Sequence, residues 1–135
     1  MSEIDWNVLR SKAFEVMAHA HAPYSRFPVG AAALSADGRI VSGCNVENIS
    51  YGLGLCAECV LVGNLRAAGS SGLVAVAVCD SRGEILMPCG RCRQVLYEHG
   101  GAAILVDHPD GPITLGELLP HAFGIDDLAA GQAPA

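Results

Sequence analysis

Leu73-Val74-Ala75-Val76-Ala77-Val78-Cys79 is an unbroken apolar run, β-branched or small at every position after Leu73. Such a run suits a strand buried on both faces, as in a sheet covered by helices on each side. Pro88 then introduces a helix to about His99, closed by Gly100-Gly101, and Ala103 to Val106 is a second buried strand. A strand, a helical crossover and another strand predict parallel pairing. Upstream, Cys56 to Ala68 reads as a helix closed by Gly69. Val29 to Ser35 and Arg39 to Gly43 flank Ala36-Asp37-Gly38, whose Asp-Gly pair favours a β-hairpin. Asp5 to Ala22 carries Trp6, Leu9, Ala13, Phe14, Met17 and Ala20 at helical spacing, and Pro23 ends it. Asn45 to Leu55, rich in Gly, Asn and Ser, reads as a loop, and Leu115 to Leu119 as a short helix. The segment 128–135 is Ala, Gly, Gln and Pro-rich and is expected to be a flexible tail. The whole predicts an α/β fold: a three-layer α/β/α domain around a mixed central sheet, an antiparallel hairpin followed by parallel strands. Residues 1–135 read as one domain of a size that supports one core.

Composition narrows the function. With 51% hydrophobic and 16% charged residues, the chain lacks the balance of a disordered protein. Eight Lys and Arg against 14 Asp and Glu leave a net charge of −6, so there is no basic stripe to track phosphates. Aromatics at 5% are too sparse to stack a run of bases, and nucleic acid is excluded as an expected partner. No apolar run approaches the ~18 residues that span a bilayer, and the first twenty residues lack a signal-peptide centre. No membrane partner is expected, and a cytoplasmic location is. In that reducing setting the six cysteines read as ligands, nucleophiles or core residues rather than disulfides. Cys44 and Cys79 fall in strands and read as core.

The other four are paired. Cys56-Ala57-Glu58-Cys59 and Cys89-Gly90-Arg91-Cys92 repeat one spacing, each where a loop gives way to a helix. The positive end of a helix favours the thiolate, which is the metal-binding form. Core cysteines have no reason to share spacing and context, so zinc is the better reading. Two arrangements are open. Four thiolates would close a tetrahedral structural site and make a zinc-stabilised, four-cysteine interaction module without catalysis. Three thiolates would leave the fourth position to water. The stretch between Cys59 and Cys89 exceeds the about 15–20 residues of a zinc-ribbon linker and contains a helix and a strand. Glu58 also favours the second arrangement, because a carboxylate beside a ligand is a general acid and base for metal-activated water, and a structural site gains nothing from it.

Cys56-Ala57-Glu58 followed by Pro88-Cys89-Gly90-Arg91-Cys92-Arg93-Gln94 resembles the zinc motif of the cytidine deaminase family. Tyr24-Ser25-Arg26-Phe27-Pro28-Val29-Gly30-Ala31-Ala32 resembles its N-terminal signature. Asn45-Val46-Glu47-Asn48-Ile49-Ser50-Tyr51 resembles its ribose-binding loop, and Leu118-Leu119-Pro120-His121-Ala122-Phe123 its C-terminal signature. The resemblance implies that Cys56, Cys89 and Cys92 bind one Zn2+ per subunit and that Glu58 is the catalytic proton carrier. Cytidine and 2′-deoxycytidine would become uridine and 2′-deoxyuridine with release of ammonia, a reaction of pyrimidine salvage. It further implies substrate contacts from Phe27, Asn45, Glu47, Tyr51, Ala57 and Phe123, the last from another subunit, in a homotetramer. A carboxylate such as Glu47 accepts from a sugar hydroxyl and repels a phosphate, which favours a free pyrimidine nucleoside. A deaminase of a nucleoside-like antibiotic carries a similar Cys-Ala-Glu motif and is the nearest rival. One position departs from the family, which usually has Arg directly after Cys-Ala-Glu where this chain has Cys59. Zn2+ with three thiolates carries a net charge of about −1, which that Arg would offset. Arg91 is the candidate replacement, so Cys59 and Arg91 are the positions expected to tune the metal.

Overall fold

Asp5 starts the first helix: its carboxylate accepts from the Val8 amide at 3.2 Å, satisfying one of the donors left free in the first turn. In the computed structural model, which describes residues 3–135, helix α1 runs Trp6–Met17 and is followed by strands β1 (Gly30–Ser35) and β2 (Ile40–Cys44). Then come α2 (Ala57–Ala67), β3 (Leu73–Cys79), α3 (Gly90–Glu98), β4 (Leu105–Val106), β5 (Ile113–Thr114), α4 (Leu115–Leu118) and α5 (Ile125–Gly131). Single 3-10 turns lie at Tyr51–Leu53 and Gly101–Ala103.

The five strands are ordered β2-β1-β3-β4-β5. β1 pairs antiparallel with both β2 and β3, and β3 pairs parallel with β4. The three strands that follow one another through helical crossovers, β2, β3 and β4, therefore share one direction, and β1 lies inverted between two of them. β5 was not legible as a strand; it is two residues long and joins β4 antiparallel. Alternation along the strands divides the core into two faces. Ala32, Leu34, Ala75, Ala77 and Cys79 meet Leu9, Ala13 and Met17 of α1. Ala31, Ala33, Val41, Val76 and Val78 meet Leu61, Val62 and Leu65 of α2 and Leu96 of α3. These are the three layers expected.

Three expectations are corrected. The first helix ends at Met17, not Ala22, because His21 is drawn into pairing with the next loop: its N–H donates to Asn45 O at 3.0 Å and its carbonyl accepts from Glu47 N at 2.8 Å. Phe14, placed on the buried stripe, is 47% exposed. The segment expected to be a tail from residue 128 is helical to Gly131, since Asp127 caps the Gly124 amide at 2.8 Å and Asp126 adds a second acid to the positive end of α5.

Two contacts bring the layers together at the edge where β2 and β3 end, since Gly30 faces Cys44 on one side and Cys79 on the other. A Cβ on Gly30 would stand 1.9 Å from Ala13 O, and one on Gly43 would stand 2.4 Å from Leu61 N and 2.6 Å from Ala57 O. Backbone atoms are the obstacles, so α1 and α2 cannot approach the sheet this closely if either residue has a side chain. Gly43→Ala should therefore destabilise the fold by about 1–3 kcal/mol. Gly63→Ala, inside α2 with open space around it, should stabilise it by about 0.5–1 kcal/mol. Urea unfolding midpoints check both; equal shifts for the two variants would refute the close-approach account.

Candidate active site

Cys56 and Cys89 are the N-cap residues of α2 and α3, and neither helix has a side-chain cap there. Both helices lie on the same face of the sheet, and both N-termini reach the edge where β2 and β3 end. The Sγ atoms of Cys56, Cys89 and Cys92 all lie within 4.8 Å of one another, with Cys56 and Cys89 at 4.0 Å. Tetrahedral zinc with Zn–S bonds of about 2.3 Å separates its sulfurs by about 3.8 Å, so the group has the dimensions of a zinc site. The donors fit as well. At Cys89 burial opposes ionisation, yet hydrogen bonds from the Cys92 amide, the Cys92 thiol and the Cys56 thiol outweigh it and hold the thiol below its usual range. Burial pushes the Cys56 and Cys92 thiols up. Metal ligation requires the thiolate form, so a bound cation offsets the burial that opposes ionisation of these thiols. Cys59, half-buried one turn along α2, lies outside this group, so the four-thiolate arrangement finds no support.

The loop into α3 is built by Asp80. Its carboxylate, 4% exposed, accepts from the Arg82 amide at 2.8 Å, the Glu84 amide at 3.1 Å and the Arg82 guanidinium at 2.6 Å. That turn lets Leu86 N donate to Val78 O at 2.9 Å, which delivers Met87, buried Pro88 and Cys89 to the edge of the sheet. Glu58, in the first turn of α2, is 4% exposed; burial raises its carboxyl above the usual range while its own backbone amide and the Cys92 thiol favour the ionised form.

A cleft of about 340 Å³ opens over this group, lined by Cys56, Ala57, Glu58 and Cys89 together with Phe27, Asn45 and Glu47. Those last three and Ala57 were singled out from the sequence; Ser25, Val29, Val78, Leu86 and Met87 also line it and were not. Val29 and Val78 read only as strand residues, and Leu86-Met87 precedes a proline with no periodicity to mark it. Tyr51 lines an adjoining cavity of about 350 Å³ with Tyr24, Ser25 and Glu47, its ring 6.0 Å from that of Tyr24. Phe123 does not reach the cleft of its own chain: it is 62% exposed, and its carbonyl accepts from Gln94 Nε2 at 2.9 Å. Arg91 is exposed and its Nη1 lies 3.4 Å from Gly54 O.

Asn45 and Glu47 shape the cleft wall by holding residues 24–29. Asn45 Oδ1 accepts from Val29 N at 2.8 Å, and its Nδ2 donates to Phe27 O at 2.9 Å. Glu47 Oε1 accepts from the Tyr24 and Ser25 amides at 3.0 and 3.1 Å, and Oε2 accepts from the Ser25 hydroxyl. These donors hold the Glu47 carboxyl below its ordinary range, the Ser25 hydroxyl contributing most. Between the two anchors Arg26 takes φ 57°, a left-handed conformation unfavourable for any residue with a Cβ.

A thiol triad at two helix starts, a buried carboxylate beside it and a cleft above it define a metal-dependent site of the deaminase type. Residues 5–107 match the family model described as the cytidine and deoxycytidylate deaminase zinc-binding region, and the chain belongs to that family. It is 61% identical over 128 residues to a cytidine deaminase of Mycobacterium tuberculosis, covering 95% of this chain and 96% of that protein. A cytidine deaminase of Halalkalibacterium halodurans is 38% identical over 130 residues, covering 93% and 98%. The crystal structure of a Mycobacterium tuberculosis cytidine deaminase superposes with a TM-score of 0.89 at 60% identity, over 91% of this chain and 100% of that one. That of Mycobacterium leprae gives 0.86 at 50% identity, over 88% and 100%.

If Glu47 holds the 24–27 turn, Glu47→Ala should make the Tyr24 and Ser25 amides exchange with solvent deuterium several-fold faster, while Leu61 and Val76 keep their protection. Unchanged exchange at Tyr24 and Ser25 would mean the turn stands without the carboxylate.

Proposed function

We propose that this chain hydrolyses the exocyclic amine of cytidine and 2′-deoxycytidine, giving uridine or 2′-deoxyuridine and ammonia. The observation that carries this reading is the position of Glu58: a buried carboxylate in the floor of the cleft, two residues from Cys56 and against Cys92. Cys56, Cys89 and Cys92 hold one zinc. Zinc, when bound, supplies the Lewis acidity that makes water a nucleophile at neutral pH. Glu58 is the catalytic residue: it takes a proton from the attacking water and delivers it to N3 of the pyrimidine, and the hydroxide so formed adds at the electrophilic C4. Glu58 then moves the proton of the new C4 hydroxyl to the amino group, so that the C4–N bond breaks as the carbonyl forms. Water is consumed and ammonia released, with Glu58 returned to its starting state.

Phe27 and Ala57 pack against the base, and Asn45 and Glu47 bind the sugar hydroxyls. A carboxylate at that place repels a phosphate, which selects free nucleosides over nucleotides. Phe27, which lines the cleft, is 51% exposed, and Tyr51 and Phe123, which do not, are 79% and 62% exposed. Aromatics left open in this way suit completion of the cleft by a neighbouring subunit in a homotetramer, with Phe123 crossing to another subunit's site. Residues 1–135 then act as one catalytic domain, working in the cytoplasm on salvaged pyrimidine nucleosides, with Cys59 and Arg91 as outer influences on the metal.

The zinc-replete protein should convert cytidine to uridine, followed by the change in ultraviolet absorbance. Glu58→Gln should lower kcat by roughly 10²–10⁴-fold with zinc content unchanged. Turnover equal to that of the parent would refute the role of Glu58, and no turnover of cytidine by the zinc-loaded parent would turn attention to other amine substrates. Cys59→Ser should keep one zinc per chain by metal analysis; loss of most of the metal would instead mean a four-thiolate site.

A further inference from the structure

One guanidinium joins two segments that are distant in sequence. Arg93 stands in the first turn of α3, directly after Cys92, and is half-buried. Its Nε donates to Pro88 O at 2.7 Å and its Nη1 to Leu118 O at 2.8 Å. Its own amide donates to Cys89 O at 2.9 Å. The carbonyls on both sides of the Cys89 peptide N–H and Cα are thus gripped by the same residue. Cys89 needs this, because it is the exposed member of the thiol group while Cys92 is buried. Leu118 closes α4, and the chain beyond it returns to α3 where Gln94 Nε2 holds Phe123 O at 2.9 Å. Arg91, two positions earlier, makes a single long contact at 3.4 Å from the surface.

We propose that Arg93 is a positioning residue of the metal site: by holding Pro88 O it fixes the Cys89 thiol toward Cys56 and Cys92, using Leu118 O as its second anchor. The proposal rests on the reading of those three thiols as zinc ligands. The planar fork of a guanidinium spans two carbonyls at fixed angles, which the single ammonium of lysine does not reproduce. Partners of this kind, one step removed from a metal, typically change its retention by about 10–100-fold when removed.

The test uses the full-length, zinc-loaded protein and follows zinc transfer to a colorimetric chelator. Arg93→Lys and Arg93→Ala should release zinc about 10–100-fold faster than the parent. After cobalt substitution their thiolate-to-metal absorption should be weaker or displaced, and added guanidinium ion should slow release from Arg93→Ala. Arg10→Lys is the control for general loosening: it breaks a comparable two-point grip, Arg10 on the buried Asp107 at 2.7 and 2.8 Å, away from the thiols, and should release zinc at the parental rate. If Arg93→Ala does not fold, Arg93→Lys decides. Parental release and an unaltered cobalt spectrum in Arg93→Lys, or equal acceleration in Arg10→Lys, overturns the proposal while leaving the zinc site intact. A parent that holds no zinc overturns the thiol assignment itself, and the role of Arg93 with it.

Discussion

The meeting of two helix N-termini within one thiol–thiol contact is the constraint on which the rest of this structure depends. Cys56 and Cys89 are 4.0 Å apart although 32 residues of helix, strand and loop separate them. That distance is available only if α2 and α3 lie on the same face and start at the same edge of the sheet. Gly43 lets α2 press against β2, and Asp80 turns the chain after β3 so that Pro88 arrives beside it. The small residues of β1 and β3, with Ala at 31, 32, 33, 75 and 77, serve the same end by letting helices approach from both sides.

The wall of the cleft obeys a second economy, in which each polar side chain positions backbone and keeps capacity for a ligand. A carboxylate offers about four acceptor directions. Glu47 engages three donors, two at Oε1 and one at Oε2, so one direction at Oε2 is open. Asn45 engages one N–H and one lone pair and keeps one of each. Under the proposed reading a sugar hydroxyl adds to this network without breaking it. The residues that bind are then already immobilised, and binding loses little entropy on ordering them. Arg26, held left-handed between the two anchors, shows that the network outweighs local backbone preference.

Much of this was legible in the sequence, for identifiable reasons. β3 was read to its residue limits because seven apolar residues in a row have few alternatives, and the helix starts were marked by Pro88 and the cysteine pairs. The repeated spacing of the cysteine pairs pointed to metal ligation but fitted three or four thiolates; the choice of Cys56, Cys89 and Cys92, with Glu58 beside them, came from the resemblance to the deaminase motif. What escaped depends on tertiary pairing. Met17 ends α1 because His21 bonds to Asn45 and Glu47, residues of a loop that only the fold brings near. β5 exists only as a partner for β4, and Leu86 and Met87 enter the cleft through a turn that Asp80 makes. Apolar lining residues carry no signal of their own, since a valine facing a ligand and a valine facing the core are the same in a sequence.

Cys59 is the position where this chain departs from the family pattern, and the two helix starts bear on that departure. Zn2+ with three thiolates bears a net charge of about −1. The N-terminus of a helix carries about +0.5 of an elementary charge, effective within the first turn. Cys56 and Cys89 are N-caps, Cys92 lies in the first turn of α3, and α2 and α3 run 11 and 9 residues, long enough for the field to develop. Two such termini face the thiols, and their partial positive charges act in the direction that offsets a centre of Zn2+ and three thiolates. The convergence of the two helices, demanded by the 4.0 Å thiol separation, thus also aims both positive ends at the thiols, where under the proposed reading they add to the charge that Arg91 brings from the surface.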